Sequence, residues 1–198
     1  MSRKDQIELE ELFKDFEHPN PYINQSAFNS MAKYWPQESV ERLLPMLSNP
    51  DLNRRRKSVK ALSTIGDIAI KSLIELFESS NDNIVKISCL KVFTIIASRS
   101  GLNCFPNEIS IIINHSLIDD DPQIILAIIS FLRQLNIEGL PYLFKASRSN
   151  NLLRAKAAIT AIAEIDDNKS IYHLHQLSID ESINDFIRGE AIDYLGRK

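Results

Sequence analysis

The chain has 198 residues, 44% of them hydrophobic and 25% charged, with 5 Gly and 8 Pro. That length supports a core, and the lack of any Gly- or Ser-rich linker predicts one repeat domain over residues 1–198. A net charge of −3 argues against non-specific nucleic-acid binding, which needs many cations on phosphates, and no apolar run of about 18 residues is available to span a membrane.

Met1-Ser-Arg-Lys-Asp leads into an acidic helix rather than an apolar signal region. The two cysteines, Cys89 and Cys104, are too few for a disulfide framework, so a reducing, cytoplasmic location is expected. A pattern then begins that returns along the chain: an apolar stripe, a polar turn, a second stripe. Leu12 and Phe16 precede the turn His18-Pro19-Asn20, and Ala27 and Met31 follow it. The second copy is the clearest. Leu43, Leu44 and Leu47 form one stripe, and Asn49-Pro50-Asp51 is the turn. Ser58, Ala61, Leu62 and Ile65 then recur at helical spacing, with Asp51 placed to cap that helix and Gly66 to close it. Pro45 falls inside the first helix of this copy and predicts a kink.

The third copy runs through Ile70, Leu73, Ile74 and Phe77, the turn at Asn81-Asp82-Asn83, then Ser88, Val92 and Ile95. Its second helix is apolar on nearly every side. Extra residues around Arg99 to Pro106 predict a longer helix or a loop. Ile109-Ser-Ile-Ile-Ile looks strand-like but falls in a first-helix slot, so it is read as a buried helix. Leu117, the turn Asp121-Pro122, and Ile128, Leu132 and Leu135 make the fourth copy. Leu143, Asn151, Ala158, Ala161, Ile162 and Ile165 make the fifth, and a last copy starts near Asn168 with Ile187, Ala191 and Leu195. One hairpin cannot bury its apolar face alone, so the pattern predicts an all-α solenoid (superhelix) of about six stacked helical hairpins.

The turn Asn-Pro-Asp followed by Arg-Arg, a small residue and Ala-Leu-x-x-Ile-Gly resembles a HEAT repeat. Arg54 to Phe77, RRRKSVKALSTIGDIAIKSLIELF, resembles the HEAT-like repeats of phycobilin lyases, as do His18 to Phe28, HPNPYINQSAF, and Asp180 to Leu195, DESINDFIRGEAIDYL. Length and segment order are similar to the short Z-type subunits of the phycoerythrin lyase group. The resemblance implies help in attaching an open-chain tetrapyrrole to a cysteine of a phycobiliprotein, as accessory subunit or chaperone. It implies three partners: a phycobiliprotein subunit, the bilin as substrate, and a second HEAT-repeat lyase subunit with which any lyase activity is shared. No resident cofactor is implied, and the acceptor thiol belongs to the client. A pigment-free protein-interaction scaffold is the alternative.

Two groups stand out as candidate ligand contacts. Arg54, Arg55, Arg56 and Lys57, followed by Lys60, open a second helix, and Arg forks suit carboxylates such as bilin propionates. The same cluster also reads as a solvated helix start or a set of turn anchors, and Arg154 and Arg188 recur near that register. Tyr34 and Trp35, with Tyr22 and Phe28, provide flat surfaces for a ligand or client helix, or a core for the terminal hairpin. Cys89 is expected buried and inert. His173 and His175, two apart on a helix, point to different faces, so no metal site is expected.

Overall fold

The computed structural model describes residues 8–196; the start at residues 1–5, read above as leading into an acidic helix, lies outside them. Among the described residues there are twelve α-helices, four short 3-10 segments and no strand. In order they are α1 (Leu9–Glu17), α2 (Pro21–Tyr34), α3 (Pro36–Leu43), α4 (Leu52–Ile65), α5 (Ile70–Ser79) and α6 (Asn83–Ser100). Then come α7 (Ile109–Ile118), α8 (Pro122–Gln134), α9 (Leu140–Ser147), α10 (Leu152–Glu164), α11 (Asn168–Ile179) and α12 (Asp185–Leu195). Taken in consecutive pairs they are the six hairpins of an all-α, HEAT-like solenoid fold. Ile109–Ile113 is helical, as its slot in the repeat predicts.

Contacts divide the chain into two units. The first holds the chain through Arg99 with Asn103–Ile112, and the second holds Ser100–Leu102 with Ile113 onward.

In the first unit each second helix starts on a side-chain cap. Asn20 accepts from the Tyr22 amide at 2.9 Å, Asp51 from Asn53 at 2.7 Å, and Asp82 from Ile84 at 2.8 Å. Phe16, Met31, Leu43, Leu62, Leu73 and Phe93 are fully enclosed, each contributing about 1.5–3 kcal/mol of burial. Buried Asn24 presents its amide Nδ2 to the carbonyls of Asp15, Phe16 and His18 at 2.8, 3.0 and 2.8 Å, closing the end of α1. Pro45 does more than kink its helix. The α-helix stops at Leu43 and the chain continues as a 3-10 segment, Leu44–Ser48, because proline has no amide to continue the ladder. Gly66 closes α4 with φ of +77°, backbone that side chains rarely adopt. Helix α6 buries residues all round, including Val85, Leu90, Phe93 and Ala97, which accounts for its uniformly apolar sequence. The extra residues after it lengthen α6 to 18 residues and then turn at Gly101, φ +64°.

The second unit repeats the grammar with caps at Asp121, Asn151, Asp167 and Asn184. Ile124, Ile128, Leu132, Leu143, Ala158, Ile162 and Leu174 have no exposure. Neighbouring hairpins are tied by polar side chains one repeat apart. Buried Arg154 donates to the Asp119 carbonyl at 2.6 Å and to Ser149 Oγ at 2.9 Å. Lys156 reaches Glu190 at 2.7 Å, and Tyr194 donates to Thr160 at 3.1 Å. Arg148 pairs with Asp180, whose carboxyl is pushed down to about 2 by hydrogen bonds from Ser182 and from that guanidinium. His173 stacks on Phe144, ring centres 3.9 Å apart, with Nε2 at 2.9 Å from Ser147 Oγ. Since Ser147 donates to the Phe144 carbonyl, its oxygen accepts from a neutral His173 Nε2–H. Burial, with the nearby Arg148 charge, lowers His173 to about 4.

Candidate functional site

The sequence-marked cations divide into occupied and unoccupied groups. Arg54 Nε pairs with Glu17 at 3.1 Å. Arg55 donates to the carbonyls of Asn49 at 2.6 Å and Pro50 at 3.0 Å, and Lys57 to that of His18 at 3.1 Å. These three hold turns. Arg54 and Arg154 stand three residues after their caps, and both reach the inter-helix turn of the preceding hairpin. The recurring arginine of the repeat is therefore a framework group at these two positions; Arg188 instead pairs locally with Asp185. Arg56 and Lys60 are exposed, one helical turn apart, and have no ion pair with a described residue.

The aromatic group does not sit together. Phe28 is in the core, Tyr22 is 85% exposed, and Tyr34 and Trp35 are half-buried. The α2 and α4 starts lie side by side, as the Lys57–His18 and Arg54–Glu17 contacts show. Tyr34, at the far end of α2, is therefore about 16 Å beyond Arg54 along the helix axis at 1.5 Å per residue. Cys89 is fully buried and its thiol is pushed up to about 12, which makes it inert. Cys104 is half-buried in the connection after α6.

A concave site lies in the second unit, between the outward faces of α8 and α10. It is an open groove of about 460 Å³. Its apolar lining includes Leu126, Ile129, Leu153, Ala157 and Ala161. The alanines create the hollow. Leu126, half exposed, and Leu153, 39% exposed, stand at its mouth. Both cations on its rim are balanced: Arg133 pairs with Glu164 at 2.5 Å, and Lys156 with Glu190 at 2.7 Å. Lys156 also lies over the Phe186 ring at 5.1 Å. From Lys156 to Glu164 the groove runs about 12 Å along α10. Such a site accepts a flat apolar body and can exchange an internal ion pair for a ligand carboxylate.

Sequence reasoning missed this groove. A signal was present: Ile124 to Ile129 is six apolar residues in a row, and a helix cannot turn all of them inward. Leu126 is the one left half exposed.

A family model for HEAT repeats matches residues 9–93. Phycocyanin operon protein Z of Pseudanabaena tenuis is 23% identical, covering 96% of this chain and 95% of its own. The bilin biosynthesis protein CpeZ of Synechococcus is 25% identical, covering 84% and 88%. A designed armadillo repeat protein, solved with the peptide (KR)4, superposes with a TM-score of 0.51 over 96% of this chain and 99% of its own, at 16% identity. With the hairpin grammar present from α1 to α12 and the similarity to Z proteins covering most of its length, the chain is similar to the HEAT-repeat phycobilin lyases of the Z type.

Proposed function

We propose that the chain is a phycobilin lyase accessory subunit or chaperone that helps place an open-chain tetrapyrrole on a cysteine of a phycobiliprotein. The observation that carries this reading is the α8–α10 groove, an apolar hollow with ion pairs on its rim, of a size within the usual range for organic ligands. The relatives include one named for bilin biosynthesis, which matches 84% of this chain.

The mechanism is orientation. Thioether formation joins a client thiol to an activated vinyl-type carbon and proceeds unaided with poor control. Holding pigment and client together raises the effective concentration and selects one outcome. Cys89 does not suit the acceptor role, since it is sealed in the core and protonated. Of the sequence-marked residues, Arg56 and Lys60 are available to an incoming carboxylate, whereas Arg54 and Arg55 stay on their turns. Tyr34 and Trp35 belong to a separate, half-buried part of the first unit. Any lyase activity is shared with a second HEAT-repeat subunit. No described helix is long and apolar enough to cross a membrane, and a cytoplasmic site of action is part of the reading.

Co-expression with a phycobiliprotein subunit and a bilin, with and without a second lyase subunit, tests it. Coloured product should rise in yield or in attachment-site purity, and Leu126→Asp should cut that gain about tenfold while leaving the fold intact, because Leu126 is already half exposed. Unchanged yield, site and solubility of the product in all arms would leave a pigment-free scaffold as the function.

A further inference from the structure

Charge in the first unit is sorted by layer. Its first helices α1, α3 and α5 carry eight Asp or Glu and three Lys or Arg. Its second helices α2, α4 and α6 carry nine Lys or Arg and no Asp or Glu. In a chain of net charge −3 this is a confined basic face with an acidic back.

Most of these cations have internal work. Arg54, Arg55 and Lys57 hold turns, and Arg99 donates to the Ser63 carbonyl at 3.1 Å, joining α6 to α4. Lys33 lies over Tyr34 and Lys86 over Phe77. Arg56, Lys60 and Lys91 remain. All three are exposed, and none has an ion pair with a described residue. Lys60 and Lys91 share a register. Asp51 and Asp82 cap α4 and α6 in the same way, each accepting from the amide two residues on. Lys60 and Lys91 both follow nine residues after those caps. Arg56 lies about 6 Å along the axis from Lys60, and the Arg99–Ser63 hydrogen bond ties α6 to α4. In α2 the corresponding positions are Gln25 and Asn29, exposed amides bonded to each other at 3.1 Å.

We infer that this face of α2, α4 and α6 docks an acidic segment of a partner protein through Arg56, Lys60 and Lys91. The three charges are spread over two helices on long, solvated side chains rather than converging in a desolvated pocket, so they fit several carboxylates along a polypeptide better than one small dicarboxylate. The acidic first helices behind them disfavour a long polyanion, which would extend past the basic face. Such a surface acts mainly by steering and selection, so its signature is salt sensitivity. The inference needs no pigment, and its outcome is independent of the coloured-product assay.

The test uses the full chain and fluorescence anisotropy at low and high salt. The probes are a labelled peptide of alternating Glu and Ala, its Gln and Ala counterpart, and single-stranded oligo(dT). The acidic peptide should bind about tenfold tighter than the neutral one at low salt and lose most of that margin at high salt. Arg56→Gln, Lys60→Gln and Lys91→Gln combined should remove the margin with an unchanged helical spectrum, while Lys145→Gln, an exposed side chain on α9, should keep it. Equal binding by the triple variant, an equal loss in Lys145→Gln, tighter binding of oligo(dT), or displacement by free glutarate at matched carboxylate concentration would each overturn the inference.

Discussion

The second helices of the two units begin with a side-chain cap and diverge at the same outward positions. Five and nine residues after the cap, α4 carries Arg56 and Lys60, α8 carries Leu126 and Ser130, and α10 carries Lys156 and Thr160. One face is basic and the other holds an apolar groove, yet the inward positions Leu62, Leu132 and Ile162 are equally buried. In a repeat fold the inward positions maintain the stack, so the outward ones are free to specialise. The corners show the same logic with residues exchanged. Fifteen residues after the cap stand Gly66 and Asn136, both with positive φ; eighteen after it stand Ala69 and Gly139. Ala69 is fully buried, whereas a Cβ built on Gly139 would lie 2.0 Å from the Leu132 carbonyl oxygen.

That contrast sets the largest expected effect. Gly139→Ala should destabilise by about 3 kcal/mol, since backbone must move, whereas Ala69→Gly should cost about 1 kcal/mol through the added chain entropy. Thermal unfolding of both variants decides it, and equal shifts would mean the two corners are packed alike. Next is the framework arginine. Arg154→Ala should cost about 2 kcal/mol in urea unfolding, because a buried charged donor leaves the Asp119 carbonyl and Ser149 behind. Arg54→Ala, which removes a half-exposed pair with Glu17, should stay within about 0.5 kcal/mol.

A last contrast is a pH dependence in the second unit. Folded His173 titrates near 4 and the unfolded chain near 6.5, so the unfolded state takes up the proton first. Its contribution is complete above pH 6.5 and is lost as pH falls toward 4. His173→Gln should flatten the melting temperature across that window, and an unchanged slope would place the pH sensitivity elsewhere.

Much of this was legible in the sequence. The hairpins, the cap at Asp51, the closure at Gly66, the helical reading of Ile109–Ile113 and the burial of Cys89 all follow from local spacing and turn chemistry. Pro45 was marked as a kink, whereas the α-helix ends just before it and the chain continues as a 3-10 segment. The site was less legible. Arg54 and Arg56 are the same residue type two positions apart, and only the neighbouring turn, through Glu17, separates an anchor from a free cation. The groove escaped notice because a hollow is made by what Ala157 and Ala161 lack, and its walls come from two helices 30 residues apart in the caps.

The polar ties between hairpins close rings of similar size: 32 residues for Arg42–Glu10, 31 for Arg133–Glu164, 34 for Lys156–Glu190 and 36 for Arg99–Ser63. The entropy of closing a ring depends on its length. Each added hairpin therefore faces the same closure cost as the one before, and a longer chain of this kind has a lower contact order relative to its length. Such an array can grow without becoming harder to fold.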